Sequence, residues 1–361
     1  MANAPEQRIL DGSSWREFCR ALERAGDVIL RDASPMDPFD RAEGFRYLSR
    51  LTRVALESYI EFADPLAPAF RRPSHETVKI GADNPDIHYQ SAAISGNHEY
   101  VIRGVRNTVH YLGFGTYVGS YGSGGAMGQS GYLEAADLDI DADGRFEIRV
   151  SCEEQPGRNW LPMQPETASL IVRQTYQDRK SERIADLEIE RVGGEERPRP
   201  ITAAFVDQGL AAAATYVNGT AALFADWAEA FAKHPNELRP LDPAVAAAAH
   251  GDPNIFYYHG YWELQPGEAL LVEVKPPACD YWNFQVNNYW MESLDYRFHH
   301  IDVNHHGARY EDDGSLKIVL AERDPGFGNW LETAGHRRGT MCLRWIRAEA
   351  HPQPESGVIS P

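Results

Sequence analysis

The chain has 361 residues, 43% of them hydrophobic, enough for a large core and for two domains or one elaborate one. Lys and Arg total 35 against 53 Asp and Glu, and the resulting net charge of -18 repels a phosphate backbone, which argues against nucleic acid and anionic membrane as partners. The N-terminus has neither a basic start nor an apolar run of signal-peptide length, and no stretch approaches ~18 uninterrupted apolar residues, so a cytoplasmic location is expected. Cys19, Cys152, Cys279 and Cys342 lie far apart without CxxC spacing, a pattern that predicts reduced, mostly buried thiols.

Residues 1–76 read as a helical segment. Ser14 stands three places before Glu17 as a capping box, and Trp15, Phe18, Cys19 and Leu22 follow at helical spacing within residues 13–30. After Ser34-Pro35, a longer helix is expected over 37–62, with Phe39, Leu48, Leu51, Ala55, Tyr59 and Phe62 on one broad face. From about Thr77 short runs rich in β-branched and aromatic residues alternate with Gly, Pro, Asn and Asp turns, which predicts a first β unit over 77–198. The alanine-rich stretch from Thr202 to His234 reads as a helical connector within 199–250, interrupted near Asn218-Gly219. A second β unit follows over 251–350. The tail over 351–361, with Pro352, Pro354 and Pro361, is expected to be loosely draped.

The two β units resemble each other. Asn-Pro-Asp-Ile at 84–87, Tyr111, Phe114, Asp143-Gly144 and Asn159-Trp160-Leu161 recur as Asp-Pro-Asn-Ile at 252–255, Tyr281, Phe284, Asp313-Gly314 and Asn329-Trp330-Leu331, at an offset of 168 to 170. Conserved order and spacing together predict an internal duplication. The Asp-Gly dipeptides read as tight turns, and Trp160 and Trp330 as core. A calcium loop starting at Asp139 fails, because Val150 occupies the position of the bidentate Glu.

The runs GSLKIVLAERDPGFGNWLETAGHRRGTMCLRW and NWLPMQPETASLIVRQTY resemble the domain-of-unknown-function family numbered 1214, clearest over the C-terminal half. The resemblance implies a jelly-roll β-sandwich accompanied by helices. The fold expected is therefore mainly β: two jelly-roll-like sandwich units related by internal duplication, with an N-terminal helical segment and a helical connector.

The stretch from Tyr281 to His306 mixes aromatics, carboxamides, acids, an arginine and two His-His pairs, and it reads as the lining of a site. The two units differ most at Tyr289 to His300, where the first carries the Gly/Ser-rich run from Tyr117 to Gly125, so the difference is taken to mark the site. In an extended strand Asp295, Arg297 and His299 share one face, and Tyr296 and His300 the other. His299 and His300 with Glu292 and Asp295 are thus candidates for acid-base work, with Arg297 stabilising charge and Tyr296 beside them. Trp282, Asn287, Asn288, Tyr289 and Trp290 suit a pocket for a small, largely apolar or aromatic substrate. Adjacent histidines point to opposite strand faces, so no metal and no cofactor are expected. YGSGGAMGQSG, from Tyr121, reads as a loop or lid over the pocket, and Arg344, which matches Arg173 after a one-residue shift, reads as half of a buried ion pair with Asp324.

The leading expectation is a soluble catabolic enzyme, a metal-independent lyase or hydrolase acting on a small-molecule substrate. The rival is a non-catalytic small-molecule-binding or assembly protein, with a homo-oligomer possible in either case. A carbohydrate-active enzyme using Glu292 and Asp295 is a weaker third.

Overall fold

A computed structural model describes residues 4–122, 128–194, 198 and 200–361. The N-terminal helices are α1 (Pro5–Leu10), α2 (Ser13–Leu30) and α3 (Pro38–Leu56), the last passing into a π-turn at Glu57–Glu61. Asp37 caps α3 by accepting from the backbone N–H groups of Phe39 and Asp40, with Pro38 at the first helical position. The capping box expected at Ser14 does not form. Gly12 sits at the N-cap of α2, and the Ser14 hydroxyl donates instead to Asp207 at 2.5 Å.

Asp207 lies on α4 (Ala203–Ala232), a single 30-residue helix without the interruption expected at Asn218-Gly219. Asn218 stays helical because its Nδ2 donates to the Ala214 and Ala21 carbonyls, both at 2.9 Å. Gly219 serves close approach rather than a break: a Cβ there would lie 2.2 Å from the Cα of Gly122. Alanines 213, 221, 225 and 228 of α4 pack against Phe18, Ile29, Tyr47 and Leu51 of α2 and α3. Among the described residues no helix is long and apolar enough to cross a membrane.

The rest is mostly β, in four four-stranded sheets. The first eight strands are β1 (Ile87–Ala93), β2 (Tyr100–Val105), β3 (Tyr111–Val118), β4 (Gly128–Glu134), β5 (Arg145–Ser151), β6 (Trp160–Pro162), β7 (Thr167–Thr175) and β8 (Asp186–Arg191). They form sheets ordered β1-β7-β3-β4 and β6-β5-β2-β8, with Ile102, Ile148, Leu112, Phe114, Leu170 and Val172 in the core between them. After β9 (Glu237–Pro240) and α5 (Pro243–Ala248) come β10 (Ile255–Glu263), β11 (Ala269–Val274), β12 (Tyr281–Val286), β13 (Asp302–Asn304), β14 (Leu316–Ala321), β15 (Asn329–Glu332), β16 (Arg338–Ile346) and β17 (Glu355–Ile359). Their sheets are ordered β10-β16-β12-β13 and β15-β14-β11-β17, so adding nine to each strand number converts the first arrangement into the second. Leu270, Ile318, Leu320, Trp282, Phe284 and Trp345 fill this second core.

The Asp-Gly dipeptides sit in tight turns, Gly144 N donating to the Asp141 carbonyl and Gly314 N to that of Glu311, with φ 79° and φ 80°, a backbone that glycine adopts without a Cβ penalty. Three expectations are corrected. The tail is not draped, because residues 355–359 form β17 and pair antiparallel with β11 along its open edge. Trp160 and Trp330 are half-buried at the ends of short edge strands, each indole N–H donating at 3.1 Å to Ser151 Oγ and the Ala321 carbonyl respectively. Of the four thiols only Cys342 is buried, since Cys19 and Cys152 sit on outward faces.

The two sandwiches interlock reciprocally through the turn that precedes their first strand. Asn84 and Asp86 of the first reach the second, where the Tyr281 hydroxyl donates to Asp86 at 2.5 Å and Asn283 donates to Asn84 at 3.2 Å. Asp252 and Asn254 of the second reach the first, where Tyr111 and Tyr132 donate to Asp252, at 3.2 Å for each nearest oxygen, and Asn254 donates to the Tyr111 hydroxyl at 3.2 Å. Arg179 clamps the seam, at 3.0 Å from Asp86 and 3.1 Å from Asp302. The recurring Asx-Pro-Asx-Ile landmark is therefore a docking device, each copy satisfying buried hydroxyls of the other.

Candidate functional site

Alternate residues of a strand share a face, and the faces of β1, β7, β10 and β16 turned away from the two cores surround a cavity of about 500 Å³. Tyr89, Ser91 and Ala93 of β1 and Ser169, Ile171 and Arg173 of β7 line one side. Ile255, Tyr257 and His259 of β10 and Arg344 of β16 line the other. Tyr216, Phe224 and Trp227 of α4, Tyr59 of the π-turn and Tyr121 complete aromatic walls.

In each sandwich a tyrosine and an arginine are cross-strand partners, Tyr89 with Arg173 and Tyr257 with Arg344. Arg173 is 9% exposed and Arg344 4% exposed, and among the described residues neither has a carboxylate in salt-bridge range. Arg173 donates to the Tyr117 hydroxyl at 2.8 Å and to the His250 carbonyl at 2.5 Å. Arg344 donates to Gln285 Oε1 at 2.7 Å and to the Ala82 carbonyl. All of these acceptors are neutral. They hold each guanidinium in place without cancelling its charge, which a buried site tolerates poorly. The ion pair expected between Arg344 and Asp324 does not exist, because Asp324 is exposed and caps its own turn at Gly326 N.

Among the described residues no other titratable group bonds either guanidinium directly, although Asp252 lies in the field of Arg173 and Asp83 in that of Arg344. Asp83 is the one acid lining the cavity among the described residues. Its oxygens accept from Ser293 N at 3.0 Å and Ser293 Oγ at 2.9 Å, and Lys79 lies in its field. Arg71 also lines the cavity, with Nη1 buried and without a partner among the described residues, and burial lowers its affinity for the proton. The Tyr257 hydroxyl has no partner among the described residues, whereas that of Tyr89 accepts from Asn84 N at 3.1 Å and keeps its own proton free.

Two imidazoles border this cavity and both are neutral at pH 7. Burial, then the Arg173 charge, holds His250 down at about 4, although its contact with the Val118 carbonyl opposes this; burial and Arg344 hold His259 down at about 3. His259 stacks on Phe231 at 5.3 Å, and its Nδ1 has no hydrogen-bond partner among the described residues. Below the unfolded value of ~6.5 the unfolded chain takes up protons that the folded chain refuses, so stability is lost as pH falls from about 6.5 toward the folded values. Replacing His259 by Phe is therefore expected to reduce the loss of unfolding free energy between pH 7 and pH 5 by about 2 kcal/mol in urea titrations. Equal losses in the variant and the parent contradict a neutral buried imidazole.

None of the residues expected to do acid-base work or to bind substrate lines this cavity, whereas Tyr121, Arg173 and Arg344, read in the sequence as lid and buried pair, do. Residues 294–300 are turns rather than strand, with Phe298 N and His299 N both donating to the Asp295 carbonyl, so period-two alternation does not apply. Asp295 and Arg297 form a local exposed pair at 2.8 and 2.7 Å, and Arg297 holds the Asp295 carboxyl down at about 2. His299 Nδ1 lies 2.9 Å from Glu332, and the other oxygen of Glu332 accepts from the backbone N–H of His300 at 2.9 Å, both at the surface. Tyr296 lies under the buried ammonium of Lys79, 4.6 Å from its ring centroid.

Glu292 is buried on Arg50 of α3 at 2.5 Å, and Asn288 donates to its second oxygen at 2.9 Å. Asn287 bonds Thr340 Oγ1 at 3.2 Å, and Trp282 is buried in the second core. Tyr289 and Trp290 dock the N-terminal helices, through the Ala33 carbonyl at 3.1 Å and the Asp40 carbonyl at 2.8 Å. Glu292 and Asp295 share no cleft, and no group of three His, Cys, Asp or Glu side chains positioned for a metal occurs among the described residues. The centre of the expected lid, residues 123–127, lies outside the described residues.

The signal for the cavity was present in the sequence. Tyr89 and Tyr257 stand at the same 168-residue offset as the Asx-Pro-Asx-Ile landmark, and Arg173 and Arg344 stand at equivalent places in the last long strand of each unit. The Tyr and Arg at matching places in the two units, rather than the stretch where the units differ, border the hollow.

The family profile described as "Protein of unknown function (DUF1214)" matches residues 127–178 and 269–350. The chain belongs to this family. A solved structure of an uncharacterized protein from Burkholderia cenocepacia is similar along its whole length, with 50% identity, 98% of each chain covered and a TM-score of 0.96. A protein from Vibrio parahaemolyticus is more distant, at 13% identity over 88% of this chain and 98% of its own, with a TM-score of 0.48. Comparison with curated proteins gives no match.

Proposed function

We propose that the protein binds a small, largely apolar or aromatic anion in the cavity between the sandwiches. The observation that carries this reading is the pair of buried guanidiniums, Arg173 and Arg344, that face aromatic walls without a carboxylate partner. A ligand carboxylate accepting a charge-assisted hydrogen bond there gains roughly 1.5–3 kcal/mol, and the aromatic lining adds apolar burial. Titration calorimetry with benzoate and phenylacetate tests it. The double variant Arg173→Gln/Arg344→Gln, which keeps polar side chains of similar length, is expected to weaken binding about 10- to 100-fold. Binding of the same strength in parent and variant contradicts the reading.

A second reading is turnover of that ligand as a soluble, metal-independent lyase or hydrolase, favoured by the unpartnered Nδ1 of the neutral His259 imidazole at the cavity. His259 rather than His299 or His300 is the base in this version because it lines the cavity with its Nδ1 free among the described residues, and a ligand anion beside it would offset the burial and the Arg344 charge that hold it down at about 3. Loss of turnover in His259→Gln with ligand affinity retained supports it.

The architecture fits an internal duplication of a jelly-roll-like unit. The identical sheet orders, the reciprocal interlock and the two Tyr-Arg pairs all follow from one doubling.

A further inference from the structure

Resting on the anion-binding reading, we infer that the ligand carries two anionic groups, one for each Tyr-Arg pair, and belongs to the compact dicarboxylates. The two pairs occupy equivalent positions on sheets that face one another across a single cavity, Tyr89–Arg173 from the first sandwich and Tyr257–Arg344 from the second. Each guanidinium is tethered to its own sheet by neutral acceptors, Tyr117 and the His250 carbonyl in one case and Gln285 and the Ala82 carbonyl in the other. Neither is free to swing across and share the other's carboxylate. Both phenols lie within electrostatic reach of both guanidiniums, so the four groups form one receptor rather than two unrelated sites.

The direct contacts of the two guanidiniums support the same answer. The acids closest to this receptor are already engaged: Asp252 by the Tyr111 and Tyr132 hydroxyls, and Asp83 by Ser293 and the field of Lys79. Arg71, the third arginine at the cavity, has Glu57 in its own field. Asp252 acts on Arg173 and Asp83 on Arg344 only through space, so each guanidinium still lacks a directly bonded carboxylate, and a ligand with one carboxylate fills only one of the two places. A dicarboxylate with an apolar middle neutralises both and sets its ring or methylene chain against the aromatic walls. The free hydroxyl protons of Tyr89 and Tyr257 add a donor beside each end.

Matched pairs of probes isolate the second carboxylate: terephthalate against benzoate, and adipate against hexanoate, measured by titration calorimetry on the full chain. In at least one pair the diacid is expected to bind 10-fold or more tightly than the monoacid. Arg173→Gln and Arg344→Gln should each lower diacid affinity to about the monoacid level, and the double variant should bind neither. Tyr257→Phe removes a hydroxyl with no partner among the described residues, so it should leave thermal unfolding unchanged and still weaken the diacid about 5-fold or more. Equal affinity for monoacid and diacid in both pairs overturns the inference while leaving an anion site in place. A diacid advantage that survives loss of either arginine also overturns it, and no binding of any of the four probes removes the anion-binding reading together with it.

Discussion

Replacing Glu292 by Ala is expected to destabilise the protein by about 3–5 kcal/mol, the cost of leaving a buried charge without its partner. Arg50 on α3 lies 2.5 Å from Glu292, both are buried, and Asn288 completes the carboxylate. Burial raises the affinity of the Glu292 carboxyl for its proton, and the Arg50 guanidinium opposes that rise, so the pair holds only while both members are present. Removing the acid strands a guanidinium between α3 and the second sandwich. Arg297→Ala, by contrast, breaks an exposed local pair and should leave the urea midpoint close to the parent's. Urea unfolding of both variants checks the contrast. Comparable small effects contradict a structural role for Glu292, and loss of ligand binding in Glu292→Ala with full stability restores it to the site.

Trp290→Ala is the second large effect, of about 3–5 kcal/mol. The indole is 1% exposed, and its N–H donates to the Asp40 carbonyl at 2.8 Å. The ring lies against Gly44, where a Cβ would come within 2.8 Å of it, and edge-on to Tyr289 at 4.9 Å between centroids. Truncation opens a cavity at the joint between the N-terminal helices and the second sandwich. It also leaves the Asp40 carbonyl without its donor. Cleavage by protease within α2 or α3 at concentrations that spare the parent is the expected signature, because the helices lose their anchor before the sandwiches unfold. Unchanged protection with a changed oligomeric state would assign Trp290 to a subunit contact instead.

The pattern of these two residues shows how far the sequence could be read. Elements with strong local signals were legible: the start of α3 at residue 37, the Asp-Gly turns, the strand runs and the order of the repeated landmarks all lie where the residues put them. The landmarks even marked the interlock, although their spacing could not reveal that Asn84 and Asp252 reach across to the opposite sandwich. The stretch from Tyr289 to His300 misled because density of polar and aromatic residues is also what a junction between packed layers demands. Glu292, Asn288 and Trp290 are rich in hydrogen-bonding groups because they meet helix α3, a tertiary fact with no local sequence signature. Their neighbours Asp295, Arg297 and His299 lost their common face once the backbone turned at residues 294–300.

The cavity was hidden for the opposite reason. Tyr89, Arg173, Tyr257 and Arg344 each sit singly in apolar strands and look like isolated polar positions in ordinary sheet faces. Only the facing of two outer sheet surfaces brings them together. Arg344 illustrates the point: a buried cation in a strand suggests a buried acid beside it, and the physical surprise is that its neighbours are a carboxamide and a carbonyl. That deficit of negative charge is the part of the molecule that most needs a ligand to account for it.

The most direct test is crystallographic: anomalous diffraction from crystals soaked in 4-iodobenzoate, whose iodine reports position without ambiguity. The account predicts an iodine peak inside the cavity between the two sandwiches, with the carboxylate on Arg173 or Arg344, and no peak there in crystals of Arg173→Gln/Arg344→Gln. Iodine found only at the surface beside His299 and Glu332, or equally strong cavity density in the double variant, would contradict it.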